Sequence, residues 1–261
     1  MTNYRTYTES TTRHWISNCG HDENNKYRGG KAGDQTGTEY QLKAWYNRPW
    51  TCVIRYPNPE VRMMIAQLAI DAALNNKIGY DQGARTSFWT QLARNSYQPS
   101  LITEPCETDC SSSTAAIIKA VGFLLDKPML QLVSTNIYTG NMKFKLRDAG
   151  FIILTDDKYL TSPNYLLPGD ILLYEGHHAA INVTRGAKSS KEGLDDTVVI
   201  TGRSVYVRVG PGSSYASKAI VHAGDNFKYD GEKYWNNNSP WYRIIYNGGP
   251  AYVSGRYAKL V

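Results

Sequence analysis

The chain has 261 residues, of which 41% are apolar and 20% charged, and its net charge at pH 7 is +6. This composition fits one large and one small folded domain and excludes a disordered or collagen-like chain. There is no run of about 18 apolar residues, and the first residues lack the basic and apolar regions of a signal peptide. We therefore expect a protein that neither inserts into a membrane nor enters the general secretion route by itself.

The cysteines indicate the redox compartment of the protein, and the charge distribution indicates the kind of partner. Four scattered cysteines are too few for a disulfide framework, which indicates reduced thiols made in a cytosol. Residues 197–261 contain 8 Lys or Arg and 3 Asp or Glu, hence a net charge of +5, so nearly all of the positive excess lies in this tail. A basic tail favours an anionic partner, and nucleic acid and a polyanionic cell wall both fit this description.

The first part of the chain predicts loops followed by helices. Residues 1–58 are polar, and the glycine-rich segment 24–37 is typical of a loop. Apolar residues at helical spacing then predict helices at about 60–75, 86–93 and 111–125. Most of the predicted helical content therefore precedes residue 150.

The second part of the chain predicts strands. Residues 170–174 and 178–183 follow a Pro-Gly turn and predict a β-hairpin. Residues 185–196 are rich in Gly, Ser and charged residues, which is typical of a linker. Short apolar runs between Gly, Pro and Asn turns then predict a small β-barrel. These runs are 198–201, 204–209, 219–223, 241–246 and 251–255.

Cys110 is the candidate nucleophile. It stands at the start of the helix predicted at 111–125, where unpaired N–H groups and the helix dipole favour the thiolate. A cysteine nucleophile also needs a general base, commonly a histidine on a neighbouring strand. His178 opens the second hairpin strand on its polar face, whereas His177 lies on the apolar face, so we favour His178. A buried structural cysteine and a surface histidine pair are the alternative interpretation.

Two segments resemble a known family. DCSSSTAAIIKAVG, from residue 109, and LPGDILLYEGHHAAI, from residue 167, resemble the cysteine-helix and histidine-strand signatures of NlpC-type papain-like cell-wall peptidases, with the CHAP amidases close to them. The tail resembles bacterial SH3-type cell-wall-binding domains in its VRxGPGxSY turn. That turn consists of Val207, Arg208, Gly210, Pro211, Gly212, Ser214 and Tyr215. The two resemblances cover about 20–184 and 197–261, and together they resemble a phage endolysin.

The resemblance implies an architecture and a set of partners. It implies an α+β papain-like catalytic domain with a helical insertion over 1–186, a linker over 187–196 and a small all-β SH3-like barrel over 197–261. The implied partner is Gram-positive peptidoglycan, with teichoic acid as a second candidate, and no cofactor is implied. The implied setting is the host cytoplasm without a signal peptide, from which the protein reaches the wall after release. A monomer is favoured.

The resemblance also implies roles for residues around the nucleophile. Cys110 attacks an amide carbonyl, and His178 accepts its proton and passes it to the leaving amine. Asp109 and Ser111 match the family positions that flank the nucleophile and shape the substrate subsite. Ser112 departs from the pattern, because the family usually has Gly at this position.

The residue that orients the imidazole is left open by the resemblance. Its family position falls at 189–191, where no His, Asn or Gln stands. Asn182, on the same strand face as His178, and Asp195 are therefore the two alternatives.

A Tyr-x-x-Gly-Gly segment precedes the cysteine closely in the family. Here Tyr-Arg-Gly-Gly at residues 27–30 resembles it, with one residue fewer between the tyrosine and the glycines and well upstream of Cys110, so we interpret the helices between them as an insertion. If the glycine-rich loop folds back onto the site, Tyr27 or Gln35 can donate to the oxyanion beside the Cys110 N–H. A plain surface turn is the alternative.

Other chemistries find less support in the sequence. Cysteine and histidine occur without the paired spacing of a zinc site, so we expect no metal. No glycine motif of a nucleotide-binding loop is present. A non-catalytic cell-wall-binding or phage structural protein is the alternative function, and the lack of Lys/Arg clusters argues against nucleic-acid binding.

Overall fold

The computed structural model describes residues 2–189, 197–236 and 239–260. The chain forms two compact units, the first from residues 1–56 and 60–190 and the second from 57–59 and 191–261. Asp195 and most of the predicted linker lie outside the described residues. Residues 187–189 belong to the first unit, where the Lys188 N–H donates to the Asn164 carbonyl.

The helices predicted from the sequence are present in the first unit with small shifts at their ends. The three long ones are α2, α3 and α4, and they correspond to the helices predicted at 60–75, 86–93 and 111–125. The described helices are α1 (Arg5–Thr8), α2 (Pro59–Ala73), α3 (Ser87–Arg94), α4 (Cys110–Leu124), α5 (Pro128–Gln131), α6 (Met142–Asp148) and α7 (Asp157–Leu160). Two 3₁₀ turns cover Pro99–Leu101 and Pro163–Tyr165.

The described strands of the first unit form one antiparallel sheet and one parallel pair. They are β1 (Trp15–Cys19), β2 (Tyr40–Ala44), β3 (Cys52–Arg55), β4 (Ile78–Tyr80), β5 (Cys106–Thr108), β6 (Ile152–Leu154), β7 (Ile171–Tyr174) and β8 (His178–Asn182). The sheet order is β2-β1-β8-β7-β3-β6, and β4 pairs with β5 in parallel. The predicted hairpin is therefore confirmed as β7 and β8.

Strands β1, β2 and β3 lie within residues 1–58, where the sequence predicted a loop at 24–37 and no strand. Most of β1 and all of β3 are buried, so neither strand shows the polar-apolar alternation of a half-exposed strand. Apolar residues cover both faces of the sheet. One face packs with α2 and α4 in the main core, and the other packs around Ile16, Trp50 and Leu172. Helices α2 and α3, which we interpreted as an insertion within the same domain, both contribute residues to this main core.

The turn before β7 requires a glycine. Gly169 has φ +86°, and a Cβ atom there would stand 2.1 Å from the Arg62 carbonyl oxygen. The next residue, Asp170, is fully buried and accepts from Arg55 Nε at 2.7 Å and Nη2 at 2.6 Å. This ion pair anchors the start of the hairpin that presents His178.

The described part of the second unit is all β. Its strands are β9 (Thr197–Ile200), β10 (Val205–Arg208), β11 (Ser217–Val221), β12 (Asn226–Asn236), β13 (Ser239–Tyr246), β14 (Gly249–Ser254) and β15 (Ala258–Leu260). They form an antiparallel sheet in the order β11-β10-β14-β13-β12-β9-β15. The sequence predicted strands at β9, β10, β11, β13 and β14. It missed β12, in which polar residues predominate, and the three-residue β15.

Candidate active site

Asp109 is the N-cap of α4 and places Cys110 in the first turn of the helix. The Asp109 Oδ1 accepts from the Ser111 N–H at 2.9 Å and from the Ser112 N–H at 2.7 Å. The Ser112 hydroxyl accepts in turn from the Asp109 N–H at 2.9 Å, which completes a capping box. The serine that replaces the expected glycine therefore fixes the helix start.

An ion pair beneath this helix start holds Asp109 in place. Arg85 Nε lies 2.9 Å from Asp109 Oδ2, and Arg85 Nη2 donates to the Ser111 hydroxyl at 3.0 Å. Asp109 and Ser111 are both buried, and neither is among the residues that line the cleft described below. In the structure both residues therefore hold the helix start and do not reach the cleft wall, where the resemblance placed them.

The Cys110 sulfur lies against the start of β8. Cys110 as a residue is 9% exposed, and the backbone N–H groups of Ala179 and Ser111 donate hydrogen bonds to its sulfur. Burial raises the pKa of the Cys110 thiol to about 12, and the Asp109 charge acts in the same direction. The two N–H groups and the Arg85 charge oppose this shift. The net effect disfavours the thiolate form of Cys110.

His178 is held by Asn18, on the neighbouring strand β1. The His178 Nε2 lies 2.9 Å from the Asn18 Oδ1, and both side chains are 6% exposed. The Tyr46 hydroxyl donates to the same oxygen at 3.2 Å, and Arg48 Nη1 donates to the Tyr46 oxygen at 3.3 Å. Because the Asn18 oxygen only accepts, Nε2 carries the proton, and Nδ1 is the nitrogen with a free lone pair.

The surroundings of His178 favour the neutral imidazole. Burial lowers the pKa of His178 to about 3, and the positive charges of Arg48 and Lys43 act in the same direction. The Trp50 ring lies beside the imidazole, with its centroid 6.2 Å from that of His178 and the two planes tilted by 32°. These effects favour the neutral imidazole, which is the form that can accept a proton.

Cys110 and His178 line one cleft of about 470 Å³. Asn18 lines it as well, so the three side chains reach the same space. Other residues of the cleft wall are Gly20, His21, Tyr27, Lys43, Tyr46, Arg48, Tyr80, Gln82 and His177. A thiol, an imidazole and the amide bonded to that imidazole therefore face one cleft, and these are the types of group that cysteine-dependent acyl transfer uses.

Asn182, which we predicted as a candidate to orient the base, is bonded elsewhere. Its Oδ1 lies 2.6 Å from the His14 Nε2, and its Nδ2 donates to the carbonyls of Leu167 and Thr184 at 2.7 and 2.8 Å. In the structure Asn18, and not Asn182, is the asparagine bonded to His178. Asn182 instead joins the chain around residue 14 to the end of β8.

The two candidate oxyanion donors differ in position. Tyr27 is exposed and lines the cleft, with its ring centroid 6.4 Å from that of Tyr80. The Gln35 amide donates to the carbonyls of Ala32 and Gly33 at 3.0 and 2.9 Å, and the residue is not part of the cleft wall. The prediction that Gln35 faces the substrate therefore does not agree with the structure.

Tyr80 and Gln82 are cleft residues that the sequence interpretation missed. Tyr80 is the last residue of β4 and Gln82 follows this strand, whose parallel partner β5 leads directly into Asp109 and Cys110. Gln82 Nε2 donates to the Tyr80 hydroxyl at 3.1 Å. A signal was present, because residues 80–83 form a second Tyr-x-x-Gly segment that lies closer to Cys110 than the one at 27–30.

Two negative findings apply to the described residues. No group of three or more His, Cys, Asp or Glu side chains there is arranged to hold a metal ion. None of the helices in the described part of the chain has both the length and the apolar character needed to cross a membrane.

The fold and the cleft define a mixed α/β protein with a cysteine, a histidine and an asparagine at one site. Residues 16–189 match the model of a family described as the endolysin-like domain. This match covers about two thirds of the chain and includes Asn18, Cys110 and His178, so the protein belongs to the endolysin-like domain family. No curated protein matches the sequence. Membership in this family indicates a general role in the lysis of cell walls and is consistent with peptidoglycan as the substrate.

Proposed function

We propose that this protein is a phage endolysin of the NlpC or CHAP type that hydrolyses an amide bond of Gram-positive peptidoglycan. The bond is either within the stem peptide or between muramic acid and L-alanine. One observation carries the proposal: Cys110, at a capped helix start, opens on the same cleft as His178, whose Nε2 is held by Asn18. This is the geometry of a nucleophile with an oriented base.

The proposed reaction begins with proton transfer from the Cys110 thiol to His178 Nδ1 as the sulfur attacks the amide carbonyl. The imidazolium that forms is stabilised by the Asn18 oxygen. Nδ1 then gives the proton to the leaving amine, and a thioester remains. Water hydrolyses the thioester with Nδ1 as its base, which restores the thiol.

The tetrahedral oxyanion needs donors that are in place beforehand. The Cys110 N–H is in the first turn of α4, where backbone N–H groups have no partner within the helix. The Gln82 amide is held in the cleft wall by Tyr80 and is the second donor we propose. Gln82→Ala should therefore lower kcat more than it raises KM.

Purified Gram-positive walls provide the test of the hydrolase activity. The proposal predicts new free amino groups without new reducing sugars, because amide bonds and not glycosidic bonds are cleaved. The residue that carries each new amino group distinguishes an endopeptidase from an amidase. The proposal is wrong if no new ends appear on walls from a broad panel of species.

We propose further that the second unit binds the cell wall, as an SH3-type domain does. Three aromatic side chains support this proposal, namely Tyr206, Tyr215 and Trp235, which are 50%, 46% and 67% exposed. Arg208 lies 4.9 Å from the Tyr206 ring centroid, and Lys233 lies 4.9 Å from that of Trp235. We call these five residues the aromatic surface.

Hydrogen bonds connect the parts of the aromatic surface. Arg208 Nη1 donates to the Tyr215 carbonyl at 2.6 Å, and Asn236, next to Trp235, donates to the Pro211 carbonyl at 2.9 Å. Aromatic rings can stack on sugars and peptides, and the adjacent cations can meet the phosphates of teichoic acid. In contrast, Trp241 and Tyr242 belong to the buried part of this unit.

Wall binding can be measured by co-sedimentation of the full chain with walls, in a Cys110→Ala background that prevents digestion. We expect Trp235→Ala to weaken binding about tenfold, since a stacked ring contributes on the order of 1–3 kcal/mol. The matched control is Tyr138→Ala, which removes a 56% exposed ring from the first unit. Equal binding by both variants would contradict the proposed wall contact.

A further inference from the structure

The cleft that holds Cys110 and His178 has an unbalanced charge. Among its described lining residues two are permanently cationic, Lys43 and Arg48, and none is acidic. Both cations lie close enough to His178 for their charges to act on its imidazole. A cleft of this kind attracts negative charge.

Neither cation has an acidic partner within the described residues. The Lys43 ammonium lies 5.1 Å from the Tyr46 ring centroid. Arg48 donates to the Tyr46 hydroxyl, and its guanidinium lies 5.8 Å from the Tyr174 ring centroid. The ion pairs of the described part of the chain involve other residues. Aromatic rings therefore orient both positive charges without neutralising them.

The acid nearest to the nucleophile does not compensate for these charges. Asp109 is buried under the helix start and paired with Arg85, and it does not reach the cleft wall. The cleft therefore has no acidic group that could receive a substrate amine close to Cys110. The described wall favours a substrate that is anionic near the reacting bond.

We propose that Lys43 and Arg48 recognise a carboxylate of the substrate beside the scissile amide. This inference rests on the proposed function and specifies its substrate class: stem peptides with a free carboxylate at this position are cleaved in preference to those with the corresponding primary amide. Arg48 can form two parallel hydrogen bonds to a carboxylate, and Lys43 adds a second charge.

A bound carboxylate also has a consequence for the chemistry. Its negative charge offsets the two positive charges that disfavour the imidazolium form of His178. The proton from Cys110 is then accepted more readily when the correct substrate is bound. Selectivity is therefore expected in kcat as well as in KM.

The test compares two synthetic stem peptides built around the bond that is cleaved in walls. They differ only in the γ-linked glutamyl residue nearest to that bond, which carries either a free α-carboxylate or the primary amide. For the native protein we expect kcat/KM to be about tenfold higher with the carboxylate, in line with one charge-assisted hydrogen bond. The ratio should fall as NaCl is raised from 0.05 to 0.5 M, because salt screens exposed charges.

The variant Lys43→Met tests whether Lys43 recognises the carboxylate. Methionine keeps the packing against the Tyr46 ring and removes the charge, so we expect the carboxylate-to-amide ratio to fall about threefold or more. Lys77→Met is the matched control, because Lys77 is exposed and lies outside the cleft. The control should keep the native ratio.

The possible outcomes separate the two proposals. If the native protein cleaves both peptides equally, or if Lys43→Met keeps the native ratio, the carboxylate assignment is wrong while the hydrolase proposal stands. If the native protein cleaves neither peptide and releases no ends from walls, the proposed function itself fails. A high ratio that is lost in Lys43→Met and kept in Lys77→Met supports the inference.

Discussion

Replacement of Asn18 by alanine tests the orientation of the base. In the native structure the Asn18 oxygen accepts from His178 Nε2 at 2.9 Å in a site where both side chains are 6% exposed. Asn18→Ala leaves the Nε2–H without this acceptor. The loss is greatest in the transition state, where the ring is an imidazolium and the hydrogen bond is charge-assisted.

The magnitude follows from the value of a hydrogen bond to a charged group. Such a bond contributes about 1.5–3 kcal/mol, and we expect the activation barrier to rise by that amount. The corresponding decrease in kcat is roughly 10- to 150-fold. KM should change little, because the ground state contains a neutral imidazole.

The chain provides a matched control for this substitution. Asn182 also accepts from the Nε2 of a histidine, but that histidine is His14, outside the cleft. Asn182→Ala should therefore lower the thermal unfolding temperature and leave kcat within about threefold of the native value. Both variants are compared by kcat, KM and thermal unfolding. The reasoning is refuted if Asn18→Ala keeps native kcat, or if Asn182→Ala loses as much kcat.

Three further predictions concern ionisation and backbone geometry. Burial raises the pKa of Cys110 to about 12, so its alkylation by iodoacetamide should accelerate about tenfold per pH unit from pH 7 to 10. The alkylation rate is measured by peptide mass spectrometry. A plateau of this rate near pH 8 would contradict the prediction. Burial, with the charges of Glu39 and Asp81, raises the pKa of Glu107 from an ordinary 4.5 to about 8. Between these two pH values the folded state retains a proton that the unfolded state releases, so the folded state loses stability as the pH rises from about 4.5 to about 8. Glu107→Gln should therefore unfold at a higher temperature than the native protein above pH 8 and at a similar temperature near pH 4, and identical pH profiles would count against this account. Gly169→Ala should lower the free energy of unfolding, measured in urea, by at least about 2–3 kcal/mol. The reason is that the new Cβ would collide with the Arg62 carbonyl and that φ is +86°. A loss below about 1 kcal/mol would show that alanine causes no strain in this turn.

Cys110 and His178 could be predicted from the sequence because local sequence signals mark them. Cys110 follows a capping aspartate and precedes an apolar helical pattern, and these features depend on a few adjacent residues. His178 follows a proline-glycine turn and a short apolar strand. The structure places both residues where these signals predict, at the start of α4 and at the start of β8.

Asn18 could not be predicted from local sequence signals. It is separated from His178 by 160 residues, and only the pairing of β1 with β8 brings the two strands together. Because β1 is almost entirely buried, its five residues show no alternation and appear in a segment that is otherwise typical of loops. The alternation along β8 therefore favoured Asn182, which is on the correct face but bonded to His14.

The position of the loop before β2 could not be predicted from local sequence either. The position of Gln35 depends on how the glycine-rich segment packs on β4, where a Cβ at Gly79 would stand 2.5 Å from the Gly33 carbonyl. This close approach of two backbones has no local sequence pattern beyond the glycines themselves. Tyr27 reaches the cleft, whereas the Gln35 amide remains with the carbonyls of its own loop.

The most direct test of the central claim compares the native protein with Cys110→Ala on purified Gram-positive walls, with Cys106→Ala as a control for the loss of a buried thiol. Turbidity and released amino groups are measured with and without EDTA, after thermal unfolding has shown that each variant is folded. We predict that Cys110→Ala releases no amino groups, while the native protein and Cys106→Ala release them at similar rates with or without EDTA. Release of amino groups by Cys110→Ala at the native rate would contradict the cysteine mechanism.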